Sequence, residues 1–71
     1  MSQNKIQVFI NGKKEVIGKC HNLSELLQSL KIERNGIAIE INCMVIPKSQ
    51  YENTFVKNND NIEIVHFIGG G

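Results

Sequence analysis

The residues of this chain best suited to chemistry stand at its end, where three consecutive glycines, Gly69, Gly70 and Gly71, close the sequence. Glycine has no Cβ atom, so such a run can pass through a channel that rejects any side chain. Four extended residues reach roughly 13 Å from a folded domain, which is enough to place a carboxylate inside another protein's active site. That carboxylate is inert until an enzyme activates it, for example as an acyl-adenylate, and it then accepts a nucleophile.

The two cysteines and two histidines are weaker candidates for chemistry. Cys20 and Cys43 form no CxxC pair, and no histidine or further cysteine stands at metal-ligand spacing, so the sequence predicts no metal site. Nothing predicted near either thiol lowers its pKa, as a nucleophilic cysteine requires, and we expect two free thiols. His21 and His66 are expected to take no part in acid–base catalysis.

Length and composition indicate one small globular domain. The chain has 71 residues, of which 41% are hydrophobic and 21% charged. A formal net charge of +1 gives too weak a field to argue for nucleic acid or a membrane surface as partner. The N-terminal segment lacks the apolar stretch of a signal peptide, and no run approaches a membrane span. We therefore expect a cytoplasmic protein, or one in an equivalent organelle compartment.

The first half of the sequence predicts a β-hairpin followed by a helix. Residues 5–10 alternate between apolar and other side chains, and the Asn11-Gly12 pair that follows is the strongest short hairpin signal. Residues 14–18 are the returning strand. Asn22 with Glu25 predicts a capping box, and the helix is expected to run from residue 23 to residue 30 or 31. Its apolar face consists of Leu23, Leu26, Leu27 and Leu30.

The second half predicts three more strands. Asn35 or Gly36 is expected to take the left-handed conformation after the helix. Residues 37–42 form a strand, a tight turn follows at positions 42 and 43, and residues 44–46 form a short strand stopped by Pro47. The connection over 48–56 has room for one helical turn, Asn59 favours positive φ, and residues 62–68 form the last strand. The order β-β-α-β-β-β predicts an α+β roll with one helix packed on one face of the sheet.

The phase of the alternation predicts which side chains face away from the helix. If the isoleucines at even positions of the first and last strands face the helix, then Phe9, Val65 and Phe67 lie on the outer face. If those two strands are neighbours, the three side chains are expected to form one apolar patch. A contiguous exposed apolar patch usually marks a partner site, so we expect this patch to dock another protein.

The segment INCMVIPKSQYENTFVKNNDNIEIVHFIGGG, residues 41–71, has three distinctive features: the "IN..VIP.SQ" pattern, the turn before IEIV and the closing glycines. Through these features the sequence resembles the ubiquitin-like β-grasp proteins and, more narrowly, the ThiS family of sulfur carriers of thiamine biosynthesis. INGK at residues 10–13 and the short leucine helix fit as well. The resemblance implies a β-grasp roll over residues 1–67, with a mixed sheet of about five strands, and a flexible tail over residues 68–71.

The resemblance also implies a function. An E1-like adenylyltransferase (ThiF-type) uses ATP to adenylate the Gly71 carboxylate, a cysteine desulfurase or other donor supplies sulfur, and a thiazole synthase (ThiG-type) takes the sulfur from the resulting thiocarboxylate. The chain would be a recycled cosubstrate rather than an enzyme, with no cofactor of its own and ATP used by the partner. Threading of the tail into partners would then rest on Ile68, Gly69 and Gly70.

Three alternatives remain open at this point. The chain resembles, less closely, the small subunit of molybdopterin synthase and carriers for other sulfur products, which also end in two glycines. A ubiquitin-like modifier would use the same adenylation but join Gly71 to a lysine of its target. A non-covalent binding module would keep its partner affinity after deletion of Gly70 and Gly71. A β-grasp ferredoxin is excluded, because a cluster needs four cysteines.

Overall fold

The computed structural model describes residues 5–18 and 22–67 of the chain. The element order is the predicted one, and a short helical segment follows Pro47 as expected. Within the described residues the last strand ends at His66, two residues before its predicted end. The elements are β1 (Lys5–Ile10), β2 (Lys13–Gly18), α1 (Leu23–Ser29), β3 (Ile37–Ile41), β4 (Met44–Ile46), a 3₁₀ helix (Lys48–Asn53) and β5 (Asn61–His66).

The five strands form one mixed sheet in the order β2-β1-β5-β3-β4. β1 and β5 are parallel neighbours, and the other three pairs are antiparallel. The predicted roll, a five-stranded mixed sheet with one helix packed on one face, is confirmed. Because β5 is the central strand, the chain approaches its glycines from the middle of the sheet and not from an edge.

The N-terminus of α1 is fixed by the predicted capping box. The Oδ1 atom of Asn22 accepts a hydrogen bond from the Glu25 N–H at 2.8 Å, and the Glu25 carboxylate accepts one from the Asn22 N–H at 3.3 Å. Asn22 also donates to the carbonyl oxygen of Glu52 at 3.2 Å. One residue therefore starts the helix and joins it to the end of the 3₁₀ helix.

The C-terminus of α1 differs from the prediction. The N–H of Ile32 donates to the Leu27 carbonyl at 2.9 Å, which is the long bond of a Schellman motif. Lys31 takes the left-handed conformation that ends the helix, with φ of 59°. Asn35 has no positive φ, and Gly36 (φ 79°) turns the chain into β3 rather than capping the helix.

The core lies between α1 and the inward face of the sheet. Leu23, Leu26 and Leu27 are buried as predicted, whereas Leu30, Ile6 and Ile10 are only partly buried at its margin. Burial of Tyr51 and Val56 could not be read from the sequence, because the connection that carries them has no regular period. The buried hydrophobic residues are Val8, Ile17, Leu23, Leu26, Leu27, Ile37, Ile39, Ile41, Tyr51, Val56, Ile62 and Ile64.

Candidate functional site

The candidate site is the end of β5 together with the outer face of the sheet beside it. The last described residue, Phe67, donates its N–H to the carbonyl oxygen of Gly36 at 2.9 Å. The backbone is therefore held against the start of β3 up to the residue before the predicted tail. The four residues predicted to thread into partners and to carry the reactive carboxylate lie outside the described residues: Ile68, Gly69, Gly70 and Gly71.

Val65 and Phe67 lie exposed on the outer face, as the alternation predicted. Their exposed fractions are 52% and 64%, while Ile62 and Ile64 of the same strand are buried under α1. The connection between β4 and β5 does not cover them, because its 3₁₀ helix packs against α1 on the other face. Two large apolar side chains thus precede the tail, and such exposure marks a surface available to a partner.

Phe9 does not join Val65 and Phe67 in one patch. β1 and β5 are neighbours, as that prediction required, but their register sets Phe9 opposite Asn61. Val65 lies four residues further along β5, roughly 13 Å at the rise of a strand. Phe9 is half-buried and lines a shallow hollow with Glu63 and Cys43. The outer face therefore has two separate apolar regions, and the role of either in docking stays a prediction.

Two exposed valines extend the outer face beyond the predicted residues. Val16 on β2 is 60% exposed and lies opposite Gln7, and Val45 on β4 is 64% exposed and lies opposite Glu40. The sequence did not single them out, because β2 has only two apolar side chains, which are adjacent, and β4 has only three residues.

A pair of carboxylates separates the two apolar regions. Glu40 of β3 lies directly opposite Glu63 of β5, and both point outward because Ile39, Ile41 and Ile62 are buried. Directly opposed residues have Cβ atoms about 5 Å apart, and like charges at that distance oppose pairing of the strands. The face therefore combines exposed apolar side chains with local negative charge, a surface available to a partner.

Removal of one charge from this pair should stabilise the free protein. We expect Glu63→Gln to raise the free energy of unfolding by about 0.5 kcal/mol, because one like-charge contact disappears. That corresponds to a rise in Tm of about 3 °C for a domain of this size, measured by thermal unfolding. The gain should shrink at high salt, where the repulsion is screened. Glu33→Gln, an exposed glutamate after α1, should leave Tm unchanged, and a lower Tm for Glu63→Gln would contradict the electrostatic explanation.

On the other face of the sheet, Arg34 joins the 3₁₀ helix to α1, where it donates to the Ser24 hydroxyl at 3.5 Å. Its guanidinium donates to the Glu52 carboxylate at 2.9 Å and to the Lys48 carbonyl at 3.4 Å, and it lies 5.4 Å from the centre of the Tyr51 ring. The hydrogen bond from Arg34 lowers the pKa of Glu52 below its ordinary value, and burial raises the pKa of Tyr51. The Arg34–Glu52 pair thus stabilises the fold above the unfolded carboxyl's pKa, and this stabilisation is lost as pH falls through the lowered folded value. Both side chains are substantially exposed, so the contribution is small.

The cysteine and histidine side chains that the structure describes do not come together in a site. Cys43 is exposed in the β3–β4 turn at φ of 70°, and His66 is exposed at the end of β5. Cys20 and His21 lie outside the described residues. Among residues 5–18 and 22–67, no group of three His, Cys, Asp or Glu side chains is placed to hold a metal ion. No helix in this part of the chain has the length and hydropathy needed to cross a membrane.

Comparison with known proteins identifies the family. A sequence model of the ThiS family matches residues 3–71, which include the whole sheet, the helix and the closing glycines. This chain belongs to the ThiS family. The crystal structure of the thiamine biosynthesis protein ThiS from Geobacter metallireducens matches this ThiS-family chain with a TM-score of 0.82 at 30% identity, covering 93% of this chain and 100% of that protein. The match confirms the predicted β-grasp fold.

Two sequence relatives of this ThiS-family chain carry different names. The sulfur carrier protein ThiS of Bacillus subtilis is 39% identical over 49 residues, which are 69% of this chain and 74% of that protein. A thiazole synthase of Paramagnetospirillum magneticum is 35% identical over 66 residues, which are 93% of this chain but 20% of that protein. The chain therefore spans only a fifth of the synthase it matches.

Proposed function

We propose that this chain is a sulfur carrier in thiamine biosynthesis and that the Gly71 carboxylate is the group that carries the sulfur. Membership of the ThiS family and the likeness to the sulfur carrier protein of Bacillus subtilis support the role. The observation that carries the proposal is the position of β5. A central strand, buried on one face, leads through the exposed Val65 and Phe67 into Ile68 and the glycine run.

The proposed chemistry takes place at the carboxyl group of Gly71. An E1-like adenylyltransferase joins the carboxylate to AMP and releases pyrophosphate from ATP. A sulfur nucleophile from a donor attacks the acyl carbon and displaces AMP. Hydrosulfide gives the thiocarboxylate directly, whereas the persulfide of a cysteine desulfurase gives an acyl disulfide that a second thiol reduces to the thiocarboxylate. A thiazole synthase then takes the sulfur, and an oxygen atom taken up in exchange restores the carboxylate. The chain itself acts as a carrier for these enzymes and binds no cofactor, as group carriers in general deliver a reactive group to an enzyme's site.

The thiazole synthase relatives support a synthase as one partner. In the Paramagnetospirillum magneticum protein, a segment related to most of this chain is part of the thiazole synthase itself. A second thiazole synthase, from Magnetococcus marinus, matches this chain over the same share of its length. Covalent linkage raises the effective concentration of two modules that must meet, so such chains are expected where carrier and synthase act together.

Docking through the end of β5 can be tested by reversing the polarity of one side chain. We expect Phe67→Asp to weaken binding to the adenylyltransferase by at least tenfold, because a carboxylate would replace an exposed apolar contact. Isothermal calorimetry with the full-length chain measures the Kd. The matched control is Phe55→Asp. Phe55 is 56% exposed, but it lies in the connection before β5, where it forms an isolated β-bridge with Asn22 beside the start of α1. Equal affinities for the Phe67 variant and the unaltered chain would remove this surface from the docking site.

The proposed function is tested by ATP–pyrophosphate exchange with the E1-like adenylyltransferase that the proposal requires. We expect exchange that depends on the chain and saturates with its concentration. A chain that forms covalent bonds to lysines of other proteins after the same activation would be a modifier rather than a sulfur carrier. Failure to support exchange, with an enzyme shown to be active on another carrier, would contradict the proposal.

A further inference from the structure

β5 extends further along the sheet than β1, its parallel neighbour. The pairing ends with Ile10 opposite Ile62, whereas β5 continues to His66. On its other side β5 remains paired with β3 up to the contact of His66 with Ile37. The part of β5 nearest the tail therefore has a strand on only one side, and its backbone groups on the other side need a different partner.

The side chain of Asn11 provides that partner. Its Oδ1 atom accepts a hydrogen bond from the Ile64 N–H at 2.8 Å, and its Nδ2 atom donates to the Ile64 carbonyl oxygen at 3.2 Å. The Asn11 backbone N–H also donates to the carbonyl of Ile62 at 2.8 Å. A carboxamide carries one donor and one acceptor in the same arrangement as a peptide group. Asn11 thus extends the β1 edge by a side-chain group and satisfies both backbone groups of Ile64.

The turn conformation restricts which residues can do this. Asn11 and Gly12 have φ of 52° and 82°, the two left-handed residues of a tight hairpin turn. Glycine fits this conformation but has no side-chain amide. Aspartate fits it too, but its ionised side chain has no donor for the Ile64 carbonyl. Asparagine satisfies both requirements, so its identity is explained by the contact with β5 and not by the turn alone.

We propose that Asn11 is a positioning residue for the loading of the tail, an inference that rests on the proposed function. Its side chain holds the end of β5 to the sheet, so that the tail leaves from a fixed point and in a fixed direction. Without it, the end of β5 would be held on one side only, by its pairing with β3 and by the Phe67 bond to Gly36. The end of the strand could then tilt relative to the sheet, and a misplacement of the reacting group by about 1 Å can lower the rate by up to about a hundredfold.

The structure offers a matched control in a second turn. Asn42 (φ 51°) also begins a tight turn, and its Oδ1 atom accepts a hydrogen bond from the Asn61 N–H at 2.9 Å. Its Nδ2 atom donates to Asp60 at 3.0 Å. Asn42 therefore holds β5 in the same chemical manner as Asn11, but at the start of the strand, far from the tail. The same substitution at the two positions separates positioning of the tail from general loss of stability.

The test compares Asn11→Gly with Asn42→Gly in the full-length chain. For adenylation by the E1-like enzyme we expect Asn11→Gly to lower kcat about three- to tenfold, with KM within about twofold because the docking surface is unchanged. We expect Asn42→Gly to leave both constants within about twofold of those of the unaltered chain. Asn11→Asp keeps the acceptor, so its kcat should lie between those of Asn11→Gly and Asn42→Gly. It serves as a second variant if Asn11→Gly fails to fold.

Amide hydrogen exchange provides a readout that needs no partner enzyme. Exchange at the Ile64 amide should accelerate in Asn11→Gly and not in Asn42→Gly, and exchange at the Asn61 amide should show the reverse. Equal kcat values for the two glycine variants, with the unaltered chain active, would overturn the inference and leave the proposed function standing. An unaltered chain that is not adenylated at all would contradict the proposed function, and the inference would fall with it.

Discussion

Deletion of Gly70 and Gly71 is expected to abolish sulfur loading of the chain while docking stays within about threefold of the original affinity. The deletion removes the reacting carboxylate and shortens the tail by about 7 Å, so the new terminus cannot reach the nucleotide of a partner bound in the same way. Rates of ATP–pyrophosphate exchange and calorimetric Kd values are measured on the same preparation. Together they distinguish a tail that is too short to reach the nucleotide from a loss of docking affinity.

A chain with one alanine added after Gly71 is the matched control for the deletion. It keeps all three glycines but lengthens the tail by one residue, which places a Cβ atom in the channel and moves the carboxylate. We expect it to dock normally and to load at less than about one hundredth of the normal rate, the effect of misplacing a reacting group by an ångström or more. Normal loading of the truncated chain would show that Gly71 is not the reactive residue.

Replacement of Leu26 should produce a large loss of stability. Leu26 is fully buried on α1, and we expect Leu26→Ala to lower the free energy of unfolding by about 3 kcal/mol. A domain of this size has about 5 kcal/mol in total, so the variant would be close to unfolding at physiological temperature. Urea denaturation followed by circular dichroism measures the change.

The control for Leu26→Ala is Gln28→Ala on the exposed side of the same helix. Alanine favours the helix and no buried contact is lost, so the free energy of unfolding should change by less than about 0.5 kcal/mol. Similar losses for both variants would mean that the helix is not held by its apolar face. That result would contradict a core in which Leu26 is packed between α1 and the sheet.

Local signals in the sequence were sufficient to predict most of the fold. Asn11-Gly12 predicted the first turn, Asn22 with Glu25 predicted the start of the helix, and the isoleucines of alternate positions predicted the inward face of the sheet. Each signal depends on interactions between residues that are close in the chain, and each is therefore visible without the tertiary structure.

The errors concern features that depend on tertiary contacts. The helix ends at Ser29, and Lys31, a residue with no preference for positive φ, takes the left-handed conformation after it. It does so because Ile32 packs against the core and completes the Schellman bond to Leu27. Tyr51 is buried in a segment without a period, where Arg34 lies over its ring. In both cases packing decides the conformation, and packing is not encoded in the local pattern.

The candidate site shows the same division between local and tertiary information. Alternation along β5 predicted correctly that Val65 and Phe67 would be exposed. It could not show that Phe9 lies opposite Asn61, four positions before Val65 on β5. The register of two parallel strands depends on the packing of the chain that connects them, which the alternation does not describe. The contact of Asn11 with Ile64 was equally invisible, since it joins residues 53 positions apart.

Intact-mass spectrometry shows whether the Gly71 carboxylate carries sulfur. The full-length chain is incubated with the E1-like adenylyltransferase, ATP and a sulfide source, and its mass is measured before and after. We predict a gain equal to the exchange of one oxygen atom for sulfur, located on the C-terminal peptide that contains Gly71. An unchanged mass, under conditions in which the enzyme demonstrably forms the adenylate, would contradict the claim.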